Sequence, residues 1–102
     1  MNIEHNHSLA QDEAIARVKA LADYMKARHG MQVQWLSDDS FRLSGKYKVV
    51  AIDATIAVRD GKIAVNGKDP GMLWRGPAKA YITKKIEQYL DPSVTSDTLP
   101  RV

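Results

Sequence analysis

His5 and His7 are the first residues whose type and spacing could do chemistry. Two residues apart on a strand, they would share one face and could hold a metal, with His29 or Asp53 as a conceivable third ligand. Zinc sites draw three or four protein ligands at fixed spacing, and this pair lacks such a carboxylate partner. The preferred reading therefore packs His5 at a sheet edge and places His7 just ahead of a helix cap, with no metal assigned. Asp53 sits between Ile52 and Ala54 on a long strand. A buried carboxylate with a raised pKa could act as a general base. The simpler expectation is an open-face carboxylate near Arg42 or Lys62 across the sheet. Ser8, Ser37, Ser40 and Ser44 have no nucleophile-elbow context. The stretch from Gly67 to Gly76 lacks the Gly-Lys-Ser/Thr ending of a phosphate loop. No catalytic residue and no cofactor is assigned, and the chain is read as a binding protein rather than an enzyme.

Two segments read as surfaces. Met72-Leu73-Trp74-Arg75 sets three large apolar side chains and a cation between Gly71 and Gly76. Folding back to cap the core is its expected use, because loop hydrophobes usually pack. The alternative is an apolar patch that meets a polymer surface, a lipid-like surface or a partner. The second surface is the far side of the sheet, with Val49, Ala51, Ala57 and Ala64 among Gln32, Gln34, Arg42, Lys62 and Asn66. Small residues there would let a second copy approach, which makes a homodimer through this face an expectation.

The elements that would position these residues follow from periodicity. The strand Met1–His5 leads to Ser8, a helix N-cap candidate with Gln11 three residues on, as in a capping box. A helix is expected over 9–29, with Ala14, Val18, Leu21 and Met25 as its apolar stripe and Gly30 as its left-handed stop. The period then becomes two. Met31, Val33 and Trp35 alternate with glutamines, and Ser37–Ser40 is a turn. Phe41 and Leu43 continue the pattern, and Gly45-Lys46 marks a break or bulge. The longest strand is expected over 47–59, with Ile52, Ala54, Ile56 and Val58 on one face. Asp60-Gly61 is a hairpin signal leading to Ile63 and Val65, and Asn66–Gly71 reads as loop. A final helix is expected to start with Gly76 as cap and Pro77 at its first position, burying Ala78, Tyr81, Ile82, Ile86 and Tyr89 and stopping at Asp91-Pro92.

The order β-α-β-β-β-β-α gives an α+β fold: an antiparallel sheet of four to five strands with two helices on one face. Residues 1–91 form the expected domain, and 92–102 a flexible tail with little to bury. The 102 residues suit one core, and 44% hydrophobic with 26% charged residues is the balance of a globular chain. No apolar run approaches a membrane span, no signal peptide is read at the N-terminus, and the expected location is the cytoplasm. Without cysteine there is neither a disulfide framework nor a thiol nucleophile. The net charge of +3 is dispersed, with no run of three cations, which makes nucleic acid an unlikely partner.

Ile3-Glu4-His5-Asn6-His7-Ser8-Leu9 before an alanine-rich helix resembles the opening of the polyhydroxyalkanoic acid system proteins of proteobacteria. Gly30-Met31-Gln32-Val33-Gln34-Trp35, Phe41-Arg42-Leu43-Ser44-Gly45 and the closing Ile86-Glu87-Gln88-Tyr89-Leu90-Asp91 fit as well, so the resemblance runs over residues 2–91. It implies a structural or regulatory role at polyhydroxyalkanoate granules, with the granule surface or granule proteins as partners, and no catalytic residue to carry over. The Gly- and Pro-rich stretch from Lys68 to Gly76 departs from the pattern at the entry to the last helix. The element order is also similar to a reduced helix-grip fold. Three readings are carried forward. The first is a granule-associated accessory protein using Met72, Leu73, Trp74 and the last helix. The second is a small-molecule-binding domain with a pocket near Trp35, Tyr47, Tyr81 and Trp74. The third, ranked last, is a weak nucleic-acid binder using Lys46, Lys48, Lys79, Lys84 and Lys85.

Overall fold

A computed structural model describes residues 2–47, 50–68, 71 and 73–101. The expectations for Met1, Lys48, Val49, Met72 and the side chain of Tyr47 fall outside the described residues. The elements are β1 (Asn2–Asn6), α1 (Gln11–His29), β2 (Gln32–Ser37), β3 (Ser40–Tyr47), β4 (Val50–Arg59), β5 (Lys62–Gly67) and α2 (Arg75–Tyr89), with a 3-10 turn at Ser96–Thr98. The strands form one antiparallel sheet in the order β1-β5-β4-β3-β2. The fold is the expected α+β order.

Period-two alternation explains how the sheet meets the helices. Register places Ile3, Val65, Ile56, Phe41 and Trp35 in one row across all five strands. The first four are buried against Val18, Leu21 and Met25 of α1 and Ile82 and Ile86 of α2. Each such side chain contributes about 1.5–3 kcal/mol when fully buried. The adjacent row on the uncovered face is Asn2, Asn66, Thr55, Arg42 and Gln34, all hydrogen-bonding residues.

Several local expectations need correction. The N-cap of α1 is Ala10, with no side-chain cap bond, rather than Ser8. Gln11 is drawn away from the capping role because its amide donates to the Val58 carbonyl at 3.1 Å. The turn into α1 is held by His7 instead. Its Nδ1 accepts from the Leu9 N–H at 3.1 Å, and its Nε2 lies 3.3 Å from the Arg59 carbonyl. Gly45 makes no bulge, since the β3–β4 register runs unshifted from Ser40 to Tyr47. The glycine is needed because φ is +144° and a Cβ would lie 3.3 Å from the Met31 Cα. The irregularity lies between Trp35 and Ser37. Tyr47 ends β3 opposite Val50, so the long strand begins at Val50. Asn66 and Gly67 belong to β5, paired with Thr55 and Ala54. α2 is capped at Trp74, which leaves Pro77 at its third position. Proline is tolerated there because the first four helical N–H groups have no intrahelical acceptor.

The expectation that residues after Asp91 have little to bury is also corrected. Leu99 is only 4% exposed and joins the core, with Val94 packed against it. Arg17, itself 4% exposed, reaches from α1 to this segment. It donates to the carbonyls of Tyr89 at 3.3 Å, Asp91 at 2.7 Å and Val94 at 2.6 Å, and pairs with Glu13 at 2.9 Å. Tyr89 donates its hydroxyl to the Pro100 carbonyl. Burial pushes the Tyr89 phenol up to about 12, so it remains a donor at neutral pH.

Arg17→Ala should remove roughly 2–4 kcal/mol of stability, because it leaves three carbonyls without their charged donor. Urea denaturation measures the loss. Limited proteolysis should show faster cleavage after Asp91, whereas unchanged cleavage would mean that the clamp does not hold the tail.

Candidate functional site

The segment before α2 is placed by backbone bonds. Trp74 and Arg75 both donate their N–H groups to the Gly71 carbonyl, at 3.1 and 2.9 Å, and Ala78 donates to the Trp74 carbonyl at 2.8 Å. Gly71 has φ +104°, a value that favours glycine. This turn projects Leu73 outward, 84% exposed, and leaves Trp74 39% exposed. The expected core-capping role is therefore not what Leu73 does. Arg75 is exposed at the first position of α2.

The other nominated residues are not gathered with this segment. Trp35 lies on the edge strand β2, its ring 4.9 Å from that of Phe41, with the Lys19 ammonium 5.9 Å from its centre. Tyr81 bridges the helices, with its hydroxyl 2.9 Å from His29 Nε2. Lys85 lies 4.4 Å above the Tyr24 ring and 5.9 Å from that of Tyr81, close enough for cation–π attraction. Burial, helped by Lys85 and Arg28, lowers the His29 pKa from 6.5 and favours the neutral imidazole. The gap between the helices and the sheet, lined by residues such as Leu21, Met25, Phe41, Ile56, Ile82 and Ile86, holds about 20 Å³. That is room for about one water, against the roughly 300 Å³ or more of a ligand site. Neither Trp35, Tyr81 nor Trp74 lines it.

Sequence reasoning passed over Leu36, which is 53% exposed beside Trp35. Its signal was available, since Leu36 breaks the polar–apolar alternation of Gln32–Trp35. Arg17 was also missed, although it sits among Ala14, Val18 and Leu21 on the buried stripe of α1.

Both ring nitrogens of His7 lie within reach of backbone groups, which gives that residue a structural task. Among the described residues no group of three or more His, Asp or Glu side chains could hold a metal. Asp53 lies on the uncovered face in a two-pronged pair with Arg42, at 2.9 and 2.8 Å, and Lys68 stands 3.9 Å away. Of the two expected neighbours of Asp53, Arg42 is the one it meets, and Lys62 faces Glu4 at 3.6 Å. The hydrogen bonds from Arg42 hold the Asp53 carboxyl below its ordinary 3.8, opposite to what a general base needs. A carboxylate with a depressed folded-state pKa stabilises the fold above its unfolded value, and that contribution disappears as pH falls through the folded value. Asp53→Asn should therefore be less stable than the parent at neutral pH, and the gap should close below pH 3.8. Denaturation midpoints across a pH series measure this, and a gap independent of pH would contradict it.

No helix among the described residues is long and apolar enough to cross a membrane. No curated protein and no solved structure matches the chain. A family model does: the one described as "Putative polyhydroxyalkanoic acid system protein" matches residues 1–94, all of the sheet and both helices. The chain belongs to that family, and its family name ties it to the polyhydroxyalkanoic acid system.

Proposed function

We propose that the protein is a non-catalytic accessory component of polyhydroxyalkanoate storage. It acts as a granule-associated binding module in the cytoplasm, with Leu73, Trp74 and Arg75 as its contact. The observation that carries this reading is the exposure of Leu73, at 84%, beside a partly exposed Trp74. An apolar side chain held in water by a short hydrogen-bonded turn gains about 1.5–3 kcal/mol when a surface covers it. The polyester of a granule is such a surface, and family membership supplies the connection. Met72 would extend the contact. The low pKa of Asp53 and the two backbone partners of His7 fit a protein that presents surfaces rather than transforming a substrate.

The test is co-sedimentation of the purified protein with polyhydroxyalkanoate particles, beside a Leu73→Ala, Trp74→Ala variant. The parent should pellet with the particles at low and high salt, because the contact is apolar. The variant should stay in the supernatant with an unchanged far-ultraviolet circular dichroism spectrum. A parent that never pellets would remove direct granule binding.

A further inference from the structure

The outer edge of β2 differs from the other edge of the sheet. Among the described residues, β1 and β2 each have a strand neighbour on one side only. β1 carries Glu4, which faces Lys62 at 3.6 Å, and such charges discourage a foreign strand. β2 is Gln32-Val33-Gln34-Trp35-Leu36-Ser37, with neither charge nor proline. It also carries two of the four large exposed hydrophobic side chains among the described residues, Trp35 at 39% and Leu36 at 53%. An uncharged edge strand with exposed apolar residues is a template for further pairing.

We propose that β2 pairs antiparallel with β2 of a second copy, which joins two five-stranded sheets into one across a two-fold axis. The strand is complementary to itself when the axis passes beside Gln34. Val33 then lies opposite the partner's Trp35 on the helix-covered side, and this pair occurs twice. Gln34 meets the partner's Gln34 on the uncovered side, where side-chain amides can hydrogen-bond to each other. No like charges oppose one another along the strand, and aromatic–β-branched cross-strand pairs are favourable. The irregularity after Trp35 limits the pairing to this short run. An isologous contact of this kind closes at two copies and does not propagate.

Lys19 beside Trp35, and Lys26 in the shallow hollow with Val33 and Gln34, flank the same edge. In a dimer these cations approach their counterparts, so added salt should tighten self-pairing or leave it unchanged. An acidic extended peptide on the same edge would bind more weakly as salt rises.

The experiment is sedimentation equilibrium of the full chain at low and high salt. The parent should have twice the 11.4 kDa chain mass. Gln34→Lys with Leu36→Lys places charge on two exposed edge positions and should weaken dimerisation by roughly tenfold or more while the circular dichroism spectrum is kept. Because the chain has no cysteine, Gln34→Cys supplies a single thiol. It should form a disulfide-linked dimer on mild oxidation, whereas Thr55→Cys, central on the uncovered face, should not. This pair of thiol variants answers the question even where the double lysine variant fails to fold. A parent that stays monomeric at its highest soluble concentration would overturn the proposal. So would a dimer that survives the folded lysine variant, or cross-linking of the Thr55→Cys variant without cross-linking of the Gln34→Cys variant. Salt-sensitive capture of a poly-glutamate peptide by a monomeric parent would assign the edge to a foreign strand and overturn it as well.

Discussion

The guanidinium of Arg17 is the group on which the arrangement of this fold most depends. A buried cation is tolerable only where hydrogen bonds replace its hydration. Here three backbone carbonyls and the Glu13 carboxylate do so. Those carbonyls belong to the end of α2 and the segment after it, so one side chain of α1 fixes how the second helix ends. Tyr89, fully buried at the same junction, extends the tie to Pro100. At the other end of α1, His29 meets the hydroxyl of Tyr81 in the middle of α2. Polar contacts thus join the helices near both ends of α1, with Leu21, Met25, Ile82 and Ile86 lining the space between.

This frame explains why the exposed side chains are exposed. α2 is held at its far end and by Tyr81, and the turn ahead of it closes on the Gly71 carbonyl. From that turn Leu73 stands 84% exposed. On the edge strand β2, Trp35 packs against Phe41 and remains 39% exposed. The polar uncovered face is organised separately, around the Arg42–Asp53 pair. Membership in the polyhydroxyalkanoic acid system family gives the exposed apolar segment a setting.

Element order, the sheet's inner face and most of the buried helix stripes were legible in the sequence, because periods of 3.6 and 2 report burial directly. Gly30 and Asp60-Gly61 marked their turns for the same local reason: both glycines have positive φ. What could not be read was decided by partners distant in sequence. Gln11 left its capping role for Val58, Gly45 answers to Met31, and Val94 beyond the last helix is held by Arg17. For the candidate contact, the residues were legible and their exposure was not. The same Leu73-Trp74 pair would suit a core cap or a surface, and only the backbone turn at Gly71 separates the two.

The central claim, that Leu73 and Trp74 meet a polyester surface, is tested most directly by the fluorescence of Trp74 itself. The chain has two tryptophans, so Trp35→Phe leaves Trp74 as the only indole. Titration of that variant with polyhydroxyalkanoate particles should shift its emission to shorter wavelength and shield it from a water-soluble quencher, as the indole moves out of water. Emission and quenching that stay unchanged while the protein pellets with the particles would place the contact elsewhere and contradict the account.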